Sequence, residues 1–311
     1  MIRMVPKLSI IVCTYNRAHL LLKSLEALFN QTIPKNIFEI IIVDNNSNDN
    51  TKELLKPILK ANENVKYFLE ERQGLSHARN RGLNEAVGQF IAYIDDDAKA
   101  IADWAGIIIE TFEKIKPQPI SVGGKYLPWY EEVPPKWFGD DFEIRSWGEE
   151  IGFLNGKSER HGFSGSNMAF LKSILIKYSG FTTDPGIMRR NLGEEVDLNL
   201  RIYNDNIERR NSIFWYDPNL IVYHYTPKKN FELNYIKKRS FNAGISMAFI
   251  EQNNFNLKLF CKNLIALFLQ PVVLLKNILE FKFHLKTSFI KYVQKTNYFK
   301  GYLGKCLNFL K

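Results

Sequence analysis

The chain has 311 residues, enough for one large domain with an appendage or for two small ones, and its 45% apolar content is that of a protein with a buried core. Three cysteines, Cys13, Cys261 and Cys306, are too few and too far apart for a disulfide scaffold or a metal finger, and they fit a reducing, cytoplasmic setting. The net charge of +9 is uneven: Thr226 to Lys311 holds 15 Lys and Arg against three acids, a net of +12, whereas the first 225 residues carry 27 basic against 30 acidic residues, a net of −3. A basic excess confined to the C-terminal segment argues against nucleic acid as a partner of the whole protein.

In chain order, Leu8-Cys13 reads as a buried strand and His19-Phe29 as a helix, with Leu20, Leu21, Leu25 and Leu28 at helical spacing. The apolar run at Leu8 is broken by Thr14, Asn16 and Arg17 too early for the core of a secretory signal. Phe38-Val43 is a second strand, Asn45-Asp49 a polar turn and Thr51-Lys60 a second helix. Val65-Leu69 is a third strand, the segment from Gly74 to Ala86 a third helix, and Phe90-Ile94 a fourth strand. Strands alternating with helices imply an α/β fold with a parallel, doubly wound sheet, whose ligands bind at the carboxyl ends of the strands. Gly123 to Phe170, with Trp129, Pro134, Pro135, Trp137 and Trp147, reads as a loop-rich insertion. Leu192-Tyr203 returns to a helical pattern, Leu220-Tyr225 to a strand, and from about Tyr235 the chain reads helical, basic and aromatic. No stretch reaches the ~18 uninterrupted apolar residues that span a bilayer; the nearest, Leu264-Leu275, contains Gln270 and Pro271.

Four polar clusters sit at strand ends or helix starts. Asp95-Asp96-Asp97 follows the fourth strand. Three adjacent carboxylates repel one another unless a cation neutralises them, and hard divalent cations take one or two carboxylates plus substrate phosphates. The same residues also read as a solvated acidic turn or a helix cap. Asp44, followed by Asn45-Asn46-Ser47-Asn48-Asp49, is either a base-and-ribose pocket or an Asx-rich turn. Thr14-Tyr15-Asn16-Arg17 offers a stacking ring and a phosphate partner, or a packed Tyr and a surface Arg. Gly74-Leu75-Ser76-His77-Ala78-Arg79-Asn80 opens a helix from which Arg79 could reach a diphosphate, or where it is simply solvated.

Together, and in this order, the clusters are far more specific. The run Leu8-Ser9-Ile10-Ile11-Val12-Cys13-Thr14-Tyr15-Asn16-Arg17 resembles the opening strand of the family-2 glycosyltransferases. Ile40 to Thr51 resembles their second strand and its Asp-x-x-Ser-x-Asp-x-Thr turn, and Gly74 to Gly82 their Gly-x-Ser-x-Ala-Arg-Asn-x-Gly helix. Asp95-Asp96-Asp97 stands where that family has its Asp-x-Asp metal motif. The resemblance runs on through Gly165-Ser166-Asn167, Gly180-Phe181 and Gly193-Glu194-Glu195-Val196-Asp197-Leu198 to Arg201, covering roughly residues 7 to 226.

The resemblance implies a GT-A type fold, Rossmann-like with a mostly parallel sheet flanked by helices, over residues 1–226, with a nucleotide-binding half (1–100) and an acceptor half (101–226). Residues 227–311 form a helical, basic extension. It implies an inverting transfer of a sugar from a nucleoside-diphosphate sugar, often uridine-linked, to a hydroxyl acceptor. On that basis Asp44 and Asn46 face the base, Thr14, Tyr15 and Arg17 line the nucleotide, and Arg79 approaches it. Asp95 and Asp96 lie near the ribose and donor sugar, and Asp97, with Asp95 and His224, binds Mg²⁺ or Mn²⁺. The family places its base at Glu195; its usual pair is Glu-Asp, and Glu-Glu here keeps Glu194 as a rival, since displacements near 1 Å matter in catalysis. Read without the resemblance, the two glutamates favour a helix N-terminus, and Asp197 with Arg201 makes an i,i+4 pair.

Trp129, Trp137 and Trp147 are either a sugar-stacking acceptor surface or core of the insertion. From Asn254 to Lys311, Phe, Leu and Ile mix with spaced Lys, the character of a segment lying on an anionic membrane; a bundle with a solvated basic face is the other reading. A peripheral position on the inner membrane face and a saccharide or lipid-linked acceptor in surface polysaccharide or glycolipid synthesis are the expectation. The alternatives are a sugar nucleotidyltransferase, for which Leu8-Arg17 lacks the Gly-rich phosphate loop, and a non-enzymatic tether for membrane or nucleic acid.

Overall fold

The structure, a computed structural model, describes residues 5–154, 162–183, 193–251, 257–279 and 285–309. The helical pattern that begins at Leu192 and the insertion from Gly123 to Phe170 thus lie partly outside the described residues. The chain divides into two compact units. The first takes the residues up to Trp129, Glu143–Thr183 and Gly193–Tyr225; the second takes Tyr130–Phe142 and the residues from Thr226 onward.

The first unit is built on β1 (Leu8–Thr14), α1 (Ala18–Phe29), β2 (Phe38–Asp44), α2 (Thr51–Ala61), β3 (Val65–Leu69), α3 (Leu75–Glu85) and β4 (Phe90–Asp95). It continues with β5 (Ala98–Ala100), α4 (Trp104–Lys114), β6 (Ser121–Tyr130), β7 (Gly152–Phe153), β8 (Met168–Leu171), α5 (Lys172–Lys177), α6 (Glu194–Asp205) and β9 (Phe214–Thr226). The sheet order is β3-β2-β1-β4-β8-β6-β9-β5, with β7 on β9. Its first four strands are parallel, while β8 joins β4 and β6 antiparallel and β5 joins β9 antiparallel. The sheet is therefore mixed, parallel only in the half that the alternating pattern described.

Alternation explains why β1, β2 and β4 read as unbroken apolar runs. Ile10, Val12, Ile40, Ile42, Ala92 and Ile94 face one core with Leu21 and Leu25 of α1 and Trp104 and Ile108 of α4. Ile11, Ile41, Val43, Ile91 and Tyr93 face the other with Ala78 and Leu83 of α3 and Leu198 and Ile202 of α6. Strands covered on both faces need apolar residues at every position. Register then aligns the strand ends: Thr14 pairs with Asp44, and Cys13 with Asp95.

Two expectations are corrected. The supposed loop-rich stretch holds the ten-residue strand β6, whose Gly123 and Gly124 mark close packing: a Cβ would lie 2.1 Å from the Phe163 ring and 1.9 Å from the Leu220 carbonyl oxygen. The last strand, expected over Leu220-Tyr225, begins at Phe214, because Asp217-Pro218-Asn219 reads as a turn but lies within it.

The second unit contains α7 (Leu233–Glu251), α8 (Leu257–Leu279) and α9 (Leu285–Phe309). α7 and α9 cross closely at glycines, Gly244 beside Tyr298 and Gly301 beside Phe241, where a Cβ would stand 2.0 and 2.1 Å from a carbonyl oxygen. Phe138 and Phe142 join Ile236 and Ile290 in a core that Trp137 packs against. The stretch 130–142, expected in the acceptor half, thus packs with the C-terminal helices.

Candidate active site

The strand ends of β1 and β4 open on a cleft of about 540 Å³ lined by Cys13, Thr14, Tyr15, Arg17, Asn45, Gln73, Gly74, Asp95, Asp96, Asp97 and His224, among others. Each acid of the triplet has a different role. Asp96 accepts from the Thr14 hydroxyl at 2.7 Å and from Arg17 Nη1 at 3.3 Å; burial raises its carboxyl, these two partners counter part of the rise, and the net is about 6. Arg17 Nη1 also donates to Asp97 Oδ2 at 2.9 Å. Burial raises Asp97 as well.

Asp95, Asp97 and His224 converge, each offering a ligand atom within 4.8 Å of the others. His224 comes from β9, where its backbone pairs with Ala98 one residue past the triplet, and its ring stacks parallel to Tyr126, centroids 6.1 Å apart. Its Nε2 lies 3.3 Å from Asp97 Oδ1 and 3.7 Å from Asp95 Oδ2. Burial opposes its protonation, yet the two carboxylates raise the imidazole to about 9. Burial likewise works to raise Asp95, but His224 and Arg79 hold it at about 2. Asp97 Oδ1 is buried, and its partner among the described residues is the His224 imidazole. Two carboxylates and an imidazole whose ligand atoms converge this closely make a donor set that a divalent cation can take in place of the imidazole's proton. The residues present fit such an ion.

Arg79 does not line the cleft. It is 3% exposed, its guanidinium lies against the Phe181 and Tyr93 rings, and Gly165 leaves it room, since a Cβ there would stand 2.0 Å from Nη2. It gives a 2.6 Å bond to Glu194 Oε1 and lies 3.7 Å from Glu195 Oε2 and 3.5 Å from Asp95 Oδ1. Burial would lower its affinity for protons, and these three acids keep it charged. It therefore acts as a hub that joins the metal-type cluster to the two glutamates at the start of α6. Glu194 is its hydrogen-bond partner. Glu195 is raised, by burial first and by Glu194, against the pull of Arg79. Arg201 anchors the same helix, bonding Asp197 at 2.9 Å and the carbonyls of Tyr178 and Gly180 at 2.6 and 2.8 Å.

Asp44 is buried, with Oδ1 accepting from Ser47 N and Oδ2 from the Tyr67 hydroxyl, both at 2.9 Å; burial, and then the Asp44 acceptor, push that phenol up. Asn46 is exposed and holds a positive φ of 65°. Neither is among the lining residues of the cleft; the neighbouring Asn45 is. Asn45 fixes the loop before α3, donating to the carbonyls of Glu70 and Arg72 and accepting from Gly74 N. Asn45 belongs to the turn after Asp44, whereas Gln73 and Tyr126 carry no motif of their own. Ser166 and Asn167 were quoted only as part of a motif. The Ser166 backbone N–H donates to the Tyr126 hydroxyl oxygen at 2.9 Å, and Asn167 links Trp104 to the Leu220 carbonyl of β9.

Of the three tryptophans, Trp137 is in the second unit's core, Trp147 is exposed, and Trp129 carries Lys99 Nζ 3.4 Å from its ring centre.

Comparison with known proteins follows the same lines. Among curated proteins, the glucosyl-dolichyl phosphate glucuronosyltransferase of Haloferax volcanii is 27% identical over 244 residues, 77% of this chain and 76% of that one. The GalNAc(5)-diNAcBac-PP-undecaprenol beta-1,3-glucosyltransferase of Campylobacter jejuni is 32% identical over 182 residues, 58% of this chain and 56% of that one. Among solved structures, the mannosyltransferase PcManGT from Pyrobaculum calidifontis, in complex with GDP-Man and Mn²⁺, has a TM-score of 0.61 at 17% identity and covers 98% of this chain and 88% of its own. GalNAc-T7 with UDP, GalNAc and Mn²⁺ has a TM-score of 0.57 at 18% identity, covering 77% of this chain and 50% of its own. At these identities the structural likeness is one of fold, and the fold is GT-A type. The family model for Glycosyl transferase family 2 matches residues 9–179, from β1 through the acid triplet to the end of α5 and so more than half of the chain. The strand-end motifs and this match agree, and the protein is a glycosyltransferase that belongs to glycosyl transferase family 2.

Proposed function

We propose that the protein transfers a sugar, with inversion, from a nucleoside-diphosphate sugar to a hydroxyl of a lipid-linked acceptor, with Mg²⁺ or Mn²⁺ held by Asp95, Asp97 and His224. The observation that carries this reading is the convergence of those three ligand atoms at a cleft also lined by Thr14, Tyr15 and Arg17. Relatives named for dolichyl phosphate and undecaprenol support the lipid-linked acceptor, and neighbours solved with GDP-Man or UDP support the donor class. The basic segment 227–311 supports a peripheral membrane contact at the inner face.

A divalent cation bound there supplies positive charge to the diphosphate oxygens as the sugar–phosphate bond breaks. The chain's own residues do the rest. Thr14 and Arg17 hold Asp96 at the cleft, and Tyr15, exposed at its mouth, offers a ring to the base. Glu195, raised and only loosely engaged by Arg79, takes the proton of the acceptor hydroxyl. That oxygen bonds to the anomeric carbon on the face opposite the departing diphosphate, so one displacement inverts the centre. Glu194, bonded to Arg79, positions rather than reacts.

Calorimetric titration of UDP- and GDP-sugars with and without Mn²⁺ tests the reading. Donor binding should require the metal, and Asp97→Ala should abolish it. Metal-independent binding, or unchanged affinity in the variant, would discard the metal assignment.

A further inference from the structure

Helix α8 is inside out. Over 261–275 its sheltered positions are Asn263, Ala266, Leu267, Gln270 and Leu274, spaced three to four apart as one helix face. Two of those five are amides, and Gln270, 7% exposed, turns its side-chain N–H back to the Ala266 carbonyl. Its outward positions begin with Cys261 and Lys262 and are then apolar throughout, Leu264, Ile265, Phe268, Leu269, Pro271, Val272, Val273 and Leu275, with Phe268 at 73% and Val272 at 62% exposure. Not one charge interrupts Leu264 to Leu275. In water the expected order is the reverse, with the apolar stripe buried and the amides outside. Scattered exposed apolar residues need no explanation, but a contiguous stripe of this kind marks a surface that is covered by something apolar.

We infer that this stripe of α8 lies in the acyl–headgroup boundary of an anionic phospholipid bilayer, parallel to its plane. Two observations select that occupant. The segment around the helix is strongly cationic, 15 Lys and Arg against three acids from Thr226 to Lys311, which a second copy of the same chain would repel and an anionic lipid surface attracts. The apolar character is also too short to cross: no described helix is long and apolar enough to span a membrane, which leaves the in-plane mode. Apolar burial and counterion attraction act together in such a helix, so neither alone gives full binding. The inference rests on the reading of 227–311 as a membrane-facing segment and assigns the contact to named side chains.

Vesicle flotation of the full-length protein tests it, with vesicles of phosphatidylcholine alone or mixed with phosphatidylglycerol. The wild type should float with the anionic vesicles and little with the neutral ones. Phe268→Asp and Ile265→Asp should each lower the partition about tenfold or more, while Phe268→Leu should float like the wild type. Since both residues are exposed, circular dichroism melts of the Asp variants should match the wild type, which separates lost docking from lost folding. If the Asp variants float undiminished while Lys→Gln changes in 227–311 abolish flotation, the α8 stripe is overturned and the basic contact survives. If the wild type does not float at all, both are overturned. A wild-type dimer that Phe268→Asp converts to monomer, without flotation, would assign the stripe to a second copy instead.

Discussion

Glu194 and Glu195 show how two like side chains, adjacent in sequence, are placed in different surroundings. One carboxylate makes a 2.6 Å bond to buried Arg79; the other sits 3.7 Å away and is raised by burial and by its neighbour. Glu195→Gln should leave donor affinity close to the wild type and reduce kcat by about 10²–10⁴-fold, the usual worth of a positioned base. Glu194→Gln should retain more of kcat but lose about 1–3 kcal/mol of stability, since a charge-assisted bond to a buried guanidinium is weakened. Parallel steady-state kinetics and thermal melts separate the two; wild-type turnover in Glu195→Gln would transfer the base to Glu194. The sign of the pH dependence follows. A base raised above its ordinary value near 4.5 protonates earlier as pH falls, so the acid limb of the kcat profile should lie above the usual carboxylate range and vanish in Glu195→Gln. At this scale motifs in the sequence single out Asp95, Asp97 and His224, which the structure brings together. The sequence alone misjudges Arg79's surroundings, because its burial depends on Phe181 and Glu194, each more than 100 residues away in sequence, and it misses Tyr126, over whose ring β9 brings His224.

Among the elements, the strand ends away from the cleft are tied by a polar knot. Glu39 of β2 is buried, accepts from Ser9 of β1 at 2.6 Å and from the Val87 backbone at 2.8 Å, and pairs with Lys66 of β3 at 2.7 Å; Ser9 accepts in turn from Gly88 N. Burial alone would raise Glu39, but these partners hold it below its ordinary value. A carboxylate depressed on folding stabilises fully above its unfolded value, near 4.5, and loses that contribution as pH falls through the lower folded value. Glu39→Gln should therefore lower stability by about 1–3 kcal/mol at neutral pH, and the gap between the two proteins' melting temperatures should narrow below about pH 4.5. A gap constant from pH 7 to pH 3 would show that the charge of Glu39 is not what matters. The elements that hold this knot were legible because β1, β2 and β4 are buried on both faces and so written in unbroken apolar residues. β6 and the start of β9 were not: Gly123, Gly124 and Pro218 carry the local marks of turns, and only the neighbours Phe163 and Leu220 make the two glycines necessary. Antiparallel joins also leave no sequence period of their own, so the mixed half of the sheet was invisible beside the βα repeats of the first half.

For the molecule as a whole, charge is partitioned: the first 225 residues are near neutral and the last 86 carry the basic excess. Membership of glycosyl transferase family 2 rests on 9–179 and decides against a nucleotidyltransferase or a bare tether, so the basic segment is an addition to a catalytic chain rather than its purpose. The partition means that the proposed membrane contact and the proposed donor binding should respond differently to salt. Attraction of a many-charged segment to an anionic surface acts over a Debye length, which shrinks from about 30 Å at 0.01 M to about 3 Å at 1 M salt. The proposed donor binding would instead use a few close ligands inside a cleft, where screening ions enter poorly. Between tens of millimolar and about 0.5 M salt, flotation on anionic vesicles should thus fall steeply while the affinity for nucleotide-sugar changes only a few-fold. If both declined in parallel, donor capture would itself depend on the long-range field of the basic segment. If neither declined, the apolar stripe of α8 would be sufficient for membrane contact and the lysines around it dispensable.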